Sequence, residues 1–193
     1  MQPIVAGKSK ILLLPGSRKS ELQRHLPPML GALALIREAL PAATAKMVLP
    51  DESLVRLAQS LGADLDFQIG HLPQALAGAD VAIASTGTVT MECAFFGVPT
   101  VTLYKTSRLT YEIGKRIVTV KSLTMPNLLA GETVYPEFIQ DDATPEHLAT
   151  AALELLQNQI RREIIKVQLA QIILSLGEPG AAKRAAAAIL SLE

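Results

Sequence analysis

Short apolar runs alternate along the chain with longer stretches in which apolar residues recur every three or four positions. This is the pattern of β-α units on a mostly parallel sheet. Five runs read as strands: Lys10–Leu14, Ala45–Leu49, Asp66–Ile69, Val81–Ala84 and Thr100–Tyr104. Each is apolar enough to be covered on both faces. Between them, Pro27-Pro28 predicts the start of a helix running to Leu40, and Asp51 can cap one that ends at Gly62. A third helix is expected from Thr86-Gly87-Thr88 to Gly97-Val98-Pro99. Further on, Ser107–Val118 reads as a helix and Pro126–Gly131 as a turn or short helix. Thr144-Pro145-Glu146 opens a helix to about Gln157, and Ile160–Leu176 and Ala181–Leu192 supply two more around Gly177-Glu178-Pro179-Gly180. The expected fold class is therefore α/β, a Rossmann-like parallel sheet flanked by helices. Residues 1–193 read as a single domain, with a core over about 8–157 and a helical extension over 158–193.

Composition narrows the function. With 49% hydrophobic and 19% charged residues the chain can bury a core, and its formal net charge of +0 lacks the basic footprint of a nucleic-acid binder. The single cysteine, Cys93, forms no intrachain disulfide, which fits a reducing cytoplasm. No apolar run reaches the roughly 20 residues of a spanning helix; Arg37 interrupts the longest, Met29–Leu40. Met1–Gly7 has neither a basic nor an apolar signal region, so no secretory leader is expected.

Three segments could carry chemistry. Leu14-Pro15-Gly16-Ser17-Arg18 follows the first strand, where open α/β sheets bind ligands. A Gly16-Ser17 turn there can present backbone N–H groups, and Arg18 offers a forked donor to phosphate. Taken alone, an ordinary turn with an exposed arginine is the preferred reading, because neither GxGxxG nor a Walker A loop is present. Ser85-Thr86-Gly87-Thr88 follows the fourth strand and can lead a diphosphate onto a helix N-terminus. Glu92 lies four residues beyond Thr88, on the same helical face, where a carboxylate can accept from both ribose hydroxyls. Ser85 and Thr86 as plain caps and Glu92 as a solvated residue are the alternative; the apolar stretch ending Ala94-Phe95-Phe96 argues against it, since an unpaired charge there is costly. The third segment, Ser122–Gly131, holds Asn127 between apolar residues, and a local cap at Leu128 is the simplest reading. His25, His71 and His147 lack ligand spacing, so no metal site is expected; His71, just after the third strand, could face the cleft, but a surface histidine is the preferred reading. Cys93 reads as an inert core thiol.

Together these segments resemble the C-terminal half of the lipid-A-disaccharide synthase family. The motifs are Leu13-Leu14-Pro15-Gly16-Ser17-Arg18 with Glu21-Leu22 and Leu26-Pro27; Ser85-Thr86-Gly87-Thr88 with Glu92-Cys93; Pro99 and Tyr104; and Leu123-Thr124-Met125-Pro126-Asn127-Leu128-Leu129-Ala130-Gly131 followed by Pro136–Gln140. The family usually reads Ala-Ser-Gly-Thr at the second motif, whereas Thr86 here stands between Ser85 and Gly87. The resemblance implies the donor-binding domain of a GT-B glycosyltransferase of family 19, a hexosyltransferase. Such enzymes join UDP-2,3-diacylglucosamine to 2,3-diacylglucosamine 1-phosphate with inversion, release UDP, and use no metal or organic cofactor. By that analogy Gly16, Ser17, Arg18, Ser85, Thr86, Gly87 and Thr88 hold the diphosphate, Glu92 the ribose, and Asn127 and Gln140 line the donor site. The acceptor pocket and catalytic base belong to the family's N-terminal domain, which has no counterpart in these residues, so the chain alone is expected to bind UDP weakly and to lack transferase activity. The family also implies a cytoplasmic enzyme, peripheral at the inner face of the inner membrane through its lipid substrates; the last helix, Ala181–Leu192, is expected either to pack locally or to expose an apolar face that drives association into a homodimer. A UDP-N-acetylglucosamine 2-epimerase-like enzyme and a non-catalytic partner-binding α/β module are the competing readings.

Overall fold

The computed structural model describes residues 9–117, 121–178 and 180–191. The expectation for Met1–Gly7, the helix ends at Val118 and Leu192, and Pro179 lie outside the described residues. Six strands form one parallel sheet in the order β3-β2-β1-β4-β5-β6: β1 (Lys10–Leu14), β2 (Thr44–Leu49), β3 (Asp66–Ile69), β4 (Val81–Ser85), β5 (Thr100–Tyr104) and β6 (Glu137–Ile139). Helices α1 (Lys19–Ala39), α2 (Glu52–Ser60), α3 (Leu72–Ala77) and α4 (Thr88–Phe95) connect the first five strands, and α5 (Arg108–Ile117) and α6 (Met125–Ala130) precede β6. The chain then continues through α7 (Pro145–Gln157), α8 (Gln159–Ser175) and α9 (Ala181–Leu190). The direction of winding reverses between β1 and β4, whose paired registers end at Leu14 and Ala84. That pairing sets the Pro15–Arg18 turn beside the Ser85–Thr88 turn. A crevice at such a reversal is where open α/β sheets bind ligands.

Three elements differ from the sequence reading, the first being the short helix α3, which was not expected between β3 and β4. Helix α1 begins at Lys19 rather than at Pro27, and carries Pro27 and Pro28 in its interior. The apolar period of Leu22, Leu26, Met29, Leu33 and Ile36 runs unbroken across both prolines, and all five side chains are buried. Packing of that face against α7 and the sheet outweighs an interior-proline penalty of about 3 kcal/mol each. The sixth strand is only three residues long, too short to show a period. On the other side of the sheet, α4 packs against β4, β5, α6 and α8, and α8 buries Ile165, Leu169 and Ile172 there. Thr144 caps α7 by accepting from the His147 N–H, and Asp51 caps α2 by accepting from Leu54, as the sequence suggested.

Two buried polar side chains lock the connections. Asn127 is 2% exposed; its Oδ1 accepts from the Val134 and Tyr135 N–H groups at 2.9 and 2.8 Å. Its Nδ2 donates to the Tyr135 carbonyl and to Glu137 Oε1 at 2.8 and 2.7 Å. Glu137 also accepts from the Leu123 and Thr124 N–H groups, so the amide of α6 and the carboxylate of β6 together hold the start of α6. This is a long-range clamp, in place of a local cap at Leu128. His25, 1% exposed, sits 2.8 Å through Nδ1 from the Pro15 carbonyl, and its Nε2 accepts from the Lys105 N–H at 3.0 Å. An acceptor at Nε2 and a carbonyl at Nδ1 require the neutral ring protonated on Nδ1. The ring thereby ties the turn after β1 to the loop after β5. Burial lowers the His25 pKa below its ordinary value of 6.5, and the hydrogen bond to Pro15 and the nearby Glu21 only partly oppose this.

Two stability effects are expected. Asn127→Ala strands the Val134 and Tyr135 N–H groups in the interior and should cost about 2–4 kcal/mol in urea unfolding; an unchanged midpoint would contradict the clamp. Because the His25 pKa is lowered on folding, the unfolded chain takes up its proton first as pH falls, so the His25 contribution is complete above 6.5 and declines below it. Thermal unfolding followed from about pH 7 to about pH 5 should show a falling midpoint whose slope is reduced in His25→Gln; equal slopes would contradict the buried neutral ring.

Candidate functional site

A cleft of ≈ 590 Å³ opens at the carboxyl ends of β1, β2, β3 and β4. Eight of the ten residues singled out in the sequence line it: Gly16, Ser17 and Arg18 from the first turn, Ser85, Thr86, Gly87 and Thr88 from the second, and Glu92 from α4. Asn127 and Gln140, expected beside them, lie outside the cleft. Asn127 is consumed by the clamp described above. Gln140, 8% exposed, accepts from the Thr106 N–H through Oε1 at 2.7 Å and donates back to the Thr106 carbonyl through Nε2 at 3.3 Å. Both amides therefore have their bonding capacity taken up within the protein, by backbone and, for Asn127, also by the Glu137 carboxylate, which makes them braces for the loops around β5 and β6.

The two turns are chemically different. In the second, the Thr86 N–H donates to the Leu103 carbonyl at 3.1 Å, which continues the β4–β5 ladder by one step. Gly87 then occupies the N-cap of α4 at φ +141, a conformation that side-chain-bearing residues rarely adopt. No side chain caps this helix. Thr90 donates both its N–H and its hydroxyl to the Gly87 carbonyl, while Thr88 and Val89, the first two residues of the helix, line the cleft; the N–H groups of a helix's first turn have no intrahelical partner. Such an end attracts anions through its unpaired donors and the helix dipole.

The first turn is already filled. Glu21, from the opening turn of α1, accepts from the Ser17 N–H through Oε2 at 3.0 Å and from Arg18 Nη1 through Oε1 at 2.7 Å. A backbone cradle for phosphate at Gly16-Ser17, as the sequence suggested, is therefore replaced by an internal carboxylate. Gly16 has φ +116, and a Cβ added there would come within 2.5 Å of Glu21 Oε2, so glycine is needed both for the turn and for the carboxylate beneath it. Arg18 remains 77% exposed and lies at the rim, available to a ligand.

Glu92 is exposed on the cleft wall, so the argument from an apolar burial at this position does not hold; its placement one turn beyond Thr88 does. Two further cleft residues, Glu21 and His71, were given no site role from the sequence. Glu21 was visible only as a motif residue without a role, although its spacing of three from Arg18 is the spacing of a capping pair. His71, read as a surface residue, is exposed but faces the cleft beside Leu49 and Pro50. It adopts φ +50, and Gln68 Nε2 holds that turn by donating to the Gly70 and His71 carbonyls at 3.0 and 2.9 Å. Away from the cleft, Cys93 is fully buried and burial pushes its pKa up to about 12, which suits an inert packing thiol. Among the described residues no group of three His, Cys, Asp or Glu side chains could hold a metal ion, and no helix is long and apolar enough to cross a membrane.

Comparison with known proteins gives this geometry a family. Residues 3–191 match the family described as lipid-A-disaccharide synthetase. The lipid-A-disaccharide synthase of Syntrophus aciditrophicus is 38% identical over 189 residues, covering 94% of this chain and 49% of the relative; the chain spans about half the length of the curated relatives it matches. Among solved structures, the spinosyn rhamnosyltransferase SpnG aligns over 92% of this chain and 44% of its own, at 16% identity and a TM-score of 0.62. The C-terminal CMP-Kdo binding domain of WaaA from Acinetobacter baumannii aligns over 86% of this chain and 89% of its own, at 15% identity and a TM-score of 0.54. The fold is thus the Rossmann-type half of GT-B glycosyltransferases, and the chain belongs to the lipid-A-disaccharide synthetase family.

Proposed function

We propose that this chain is the donor-binding half of a lipid-A-disaccharide synthase and that its cleft holds the UDP portion of UDP-2,3-diacylglucosamine. The observation that carries the reading is the meeting of Arg18, the uncapped start of α4 and Glu92 around one cleft in a chain of this family. The two halves of that cleft match the two halves of a nucleotide. The diphosphate lies against the first turn of α4 with Arg18 at its side, and Glu92 accepts from the ribose hydroxyls. The uracil ring lies in the apolar part formed by Val48, Leu49 and Pro50, against the imidazole of His71.

In the transfer, the acceptor hydroxyl oxygen attacks the anomeric carbon from the face opposite UDP. The bond from that carbon to the phosphate oxygen breaks, and its electron pair departs with UDP. Donors fixed at the leaving diphosphate are strongest where negative charge grows, which is the role of the α4 N–H groups and Arg18. The proton of the acceptor hydroxyl goes to a base outside this chain, in the other half of the relatives' length, which also binds 2,3-diacylglucosamine 1-phosphate. No metal or organic cofactor enters the scheme. By the lipid nature of its proposed substrates, the assembled enzyme works in the cytoplasm, peripheral at the inner face of the inner membrane. The exposed Ile160, Ile164 and Val167 of α8 and Ile189 and Leu190 of α9 offer apolar surface for the missing half or for a second copy.

Calorimetric titration with UDP tests the site. Arg18→Ala and Glu92→Ala should each weaken binding by about tenfold, the usual scale for losing a hydrogen bond to a charged group. The Glu92 effect should vanish against 2′,3′-dideoxyuridine diphosphate; wild-type affinity in both variants would reject the site. A donor with both acyl chains should bind better than UDP-N-acetylglucosamine, which a 2-epimerase-like enzyme would not require. Incubated with both substrates, the chain alone should form no disaccharide, and turnover would show that the base is present within it.

A further inference from the structure

The first two turns of α1 place Glu21 and His25 four residues apart on one helical face, and both reach the turn that carries Arg18. His25 takes the Pro15 carbonyl. Glu21 takes the Ser17 N–H with one oxygen and the Arg18 guanidinium with the other. The carboxylate is three-quarters buried while the arginine it holds is largely exposed, and Gly16 leaves room for the carboxylate alone, since an added Cβ would collide with it. An ordinary capping carboxylate satisfies helix N–H groups. This one instead occupies the place a phosphate would take on the turn and fixes an exposed cation beside it.

We propose that Glu21 is a positioning residue for the donor diphosphate: it closes the first turn to phosphate, so that the diphosphate goes to α4, and it presents Arg18 to that diphosphate in one geometry. The proposal rests on the assignment of Arg18 to the UDP site. An unpaired arginine on the rim would lose several rotatable bonds of freedom on binding. Held by Glu21 through Nη1, it keeps its remaining N–H donors for the ligand. Gln in place of Glu21 still accepts from the Ser17 N–H but no longer forms a charge-assisted bond to Arg18.

The test is a double-mutant cycle on UDP affinity in the 193-residue chain with Glu21→Gln, Arg18→Ala and the pair. Glu21→Gln should weaken UDP binding by about fivefold, the upper range for an exposed ion pair, and should add nothing in the Arg18→Ala background. Unchanged affinity in Glu21→Gln with a lowered melting temperature would show a purely structural cap and overturn the proposal. Tighter binding would show that Glu21 merely opposes the diphosphate, and would overturn it equally. If Arg18→Ala itself leaves UDP affinity unchanged, the assignment of Arg18 fails, and the proposal with it; a loss in Arg18→Ala without one in Glu21→Gln removes the proposal alone. Should Glu21→Gln not fold, ¹⁵N relaxation of the Arg18 Nε–H in the unaltered chain decides: a rigid guanidinium supports the proposal and a freely reorienting one overturns it.

Discussion

The first turn of α4 presents backbone N–H groups that no side chain caps, at the point where the sheet changes its direction of winding. Those donors exist because Gly87 takes a backbone conformation that lets the chain leave β4 and enter the helix with Thr88 already at the cleft. The remaining features of the site are arranged around this end. Thr90 turns inward onto the Gly87 carbonyl, Thr86 stays bonded to β5, and Glu92 stands one helical turn further along.

The opposite wall has a different economy of hydrogen bonds. The turn after β1 looks from its sequence like a second phosphate cradle, yet its Ser17 N–H is bonded internally to Glu21. What it contributes is a side chain, Arg18, on a backbone gripped from below by Glu21 and His25. His25 extends the grip to Lys105 beyond β5, and Lys105 in turn donates through Nζ to the Gln140 carbonyl at 2.6 Å. The floor of the cleft is thereby connected by hydrogen bonds to the loops that Gln140 and Asn127 brace. These two amides hold the frame in which the cleft sits, which accounts for their presence in the family-like motifs without any contact with the cleft.

Much of this was legible in the sequence, for identifiable reasons. Strands β1, β2, β4 and β5 are mostly apolar runs between turn residues, and their positions follow from that pattern; β3, at the sheet edge, is exposed or half-buried along its length, so the expected cover on both faces fails there. Gly16–Arg18 was singled out because ligands of open α/β sheets meet the carboxyl ends of strands, Ser85–Thr88 because it leads onto a helix N-terminus, and Glu92 by its spacing of four from Thr88; the winding reversal that brings them to one cleft is seen only in the fold. Helix α1 was begun eight residues late, at Pro27 instead of Lys19, because prolines inside a helix are read as boundaries unless the buried face beyond them is known. The short β6 carries too few residues for a period, and its pairing with β5 is a tertiary fact. Asn127 and Gln140 could not be separated from ligand-binding amides, since a motif shows which residues recur and is silent on what they touch. His71 and Glu21 needed the folded backbone: one faces the cleft through a left-handed turn, the other lies beneath a glycine.

The central claim is that the diphosphate of a uridine nucleotide rests on the N-terminus of α4 and not on the turn after β1. Amide ¹H–¹⁵N spectra recorded during a titration with UDP test this most directly. The account predicts large, saturable shifts at Gly87, Thr88 and Val89, with the Ser17 amide changing little because Glu21 already holds it. Shifts centred on Ser17, or on residues remote from the cleft such as Lys46 and Gln68, with α4 unmoved, would contradict it.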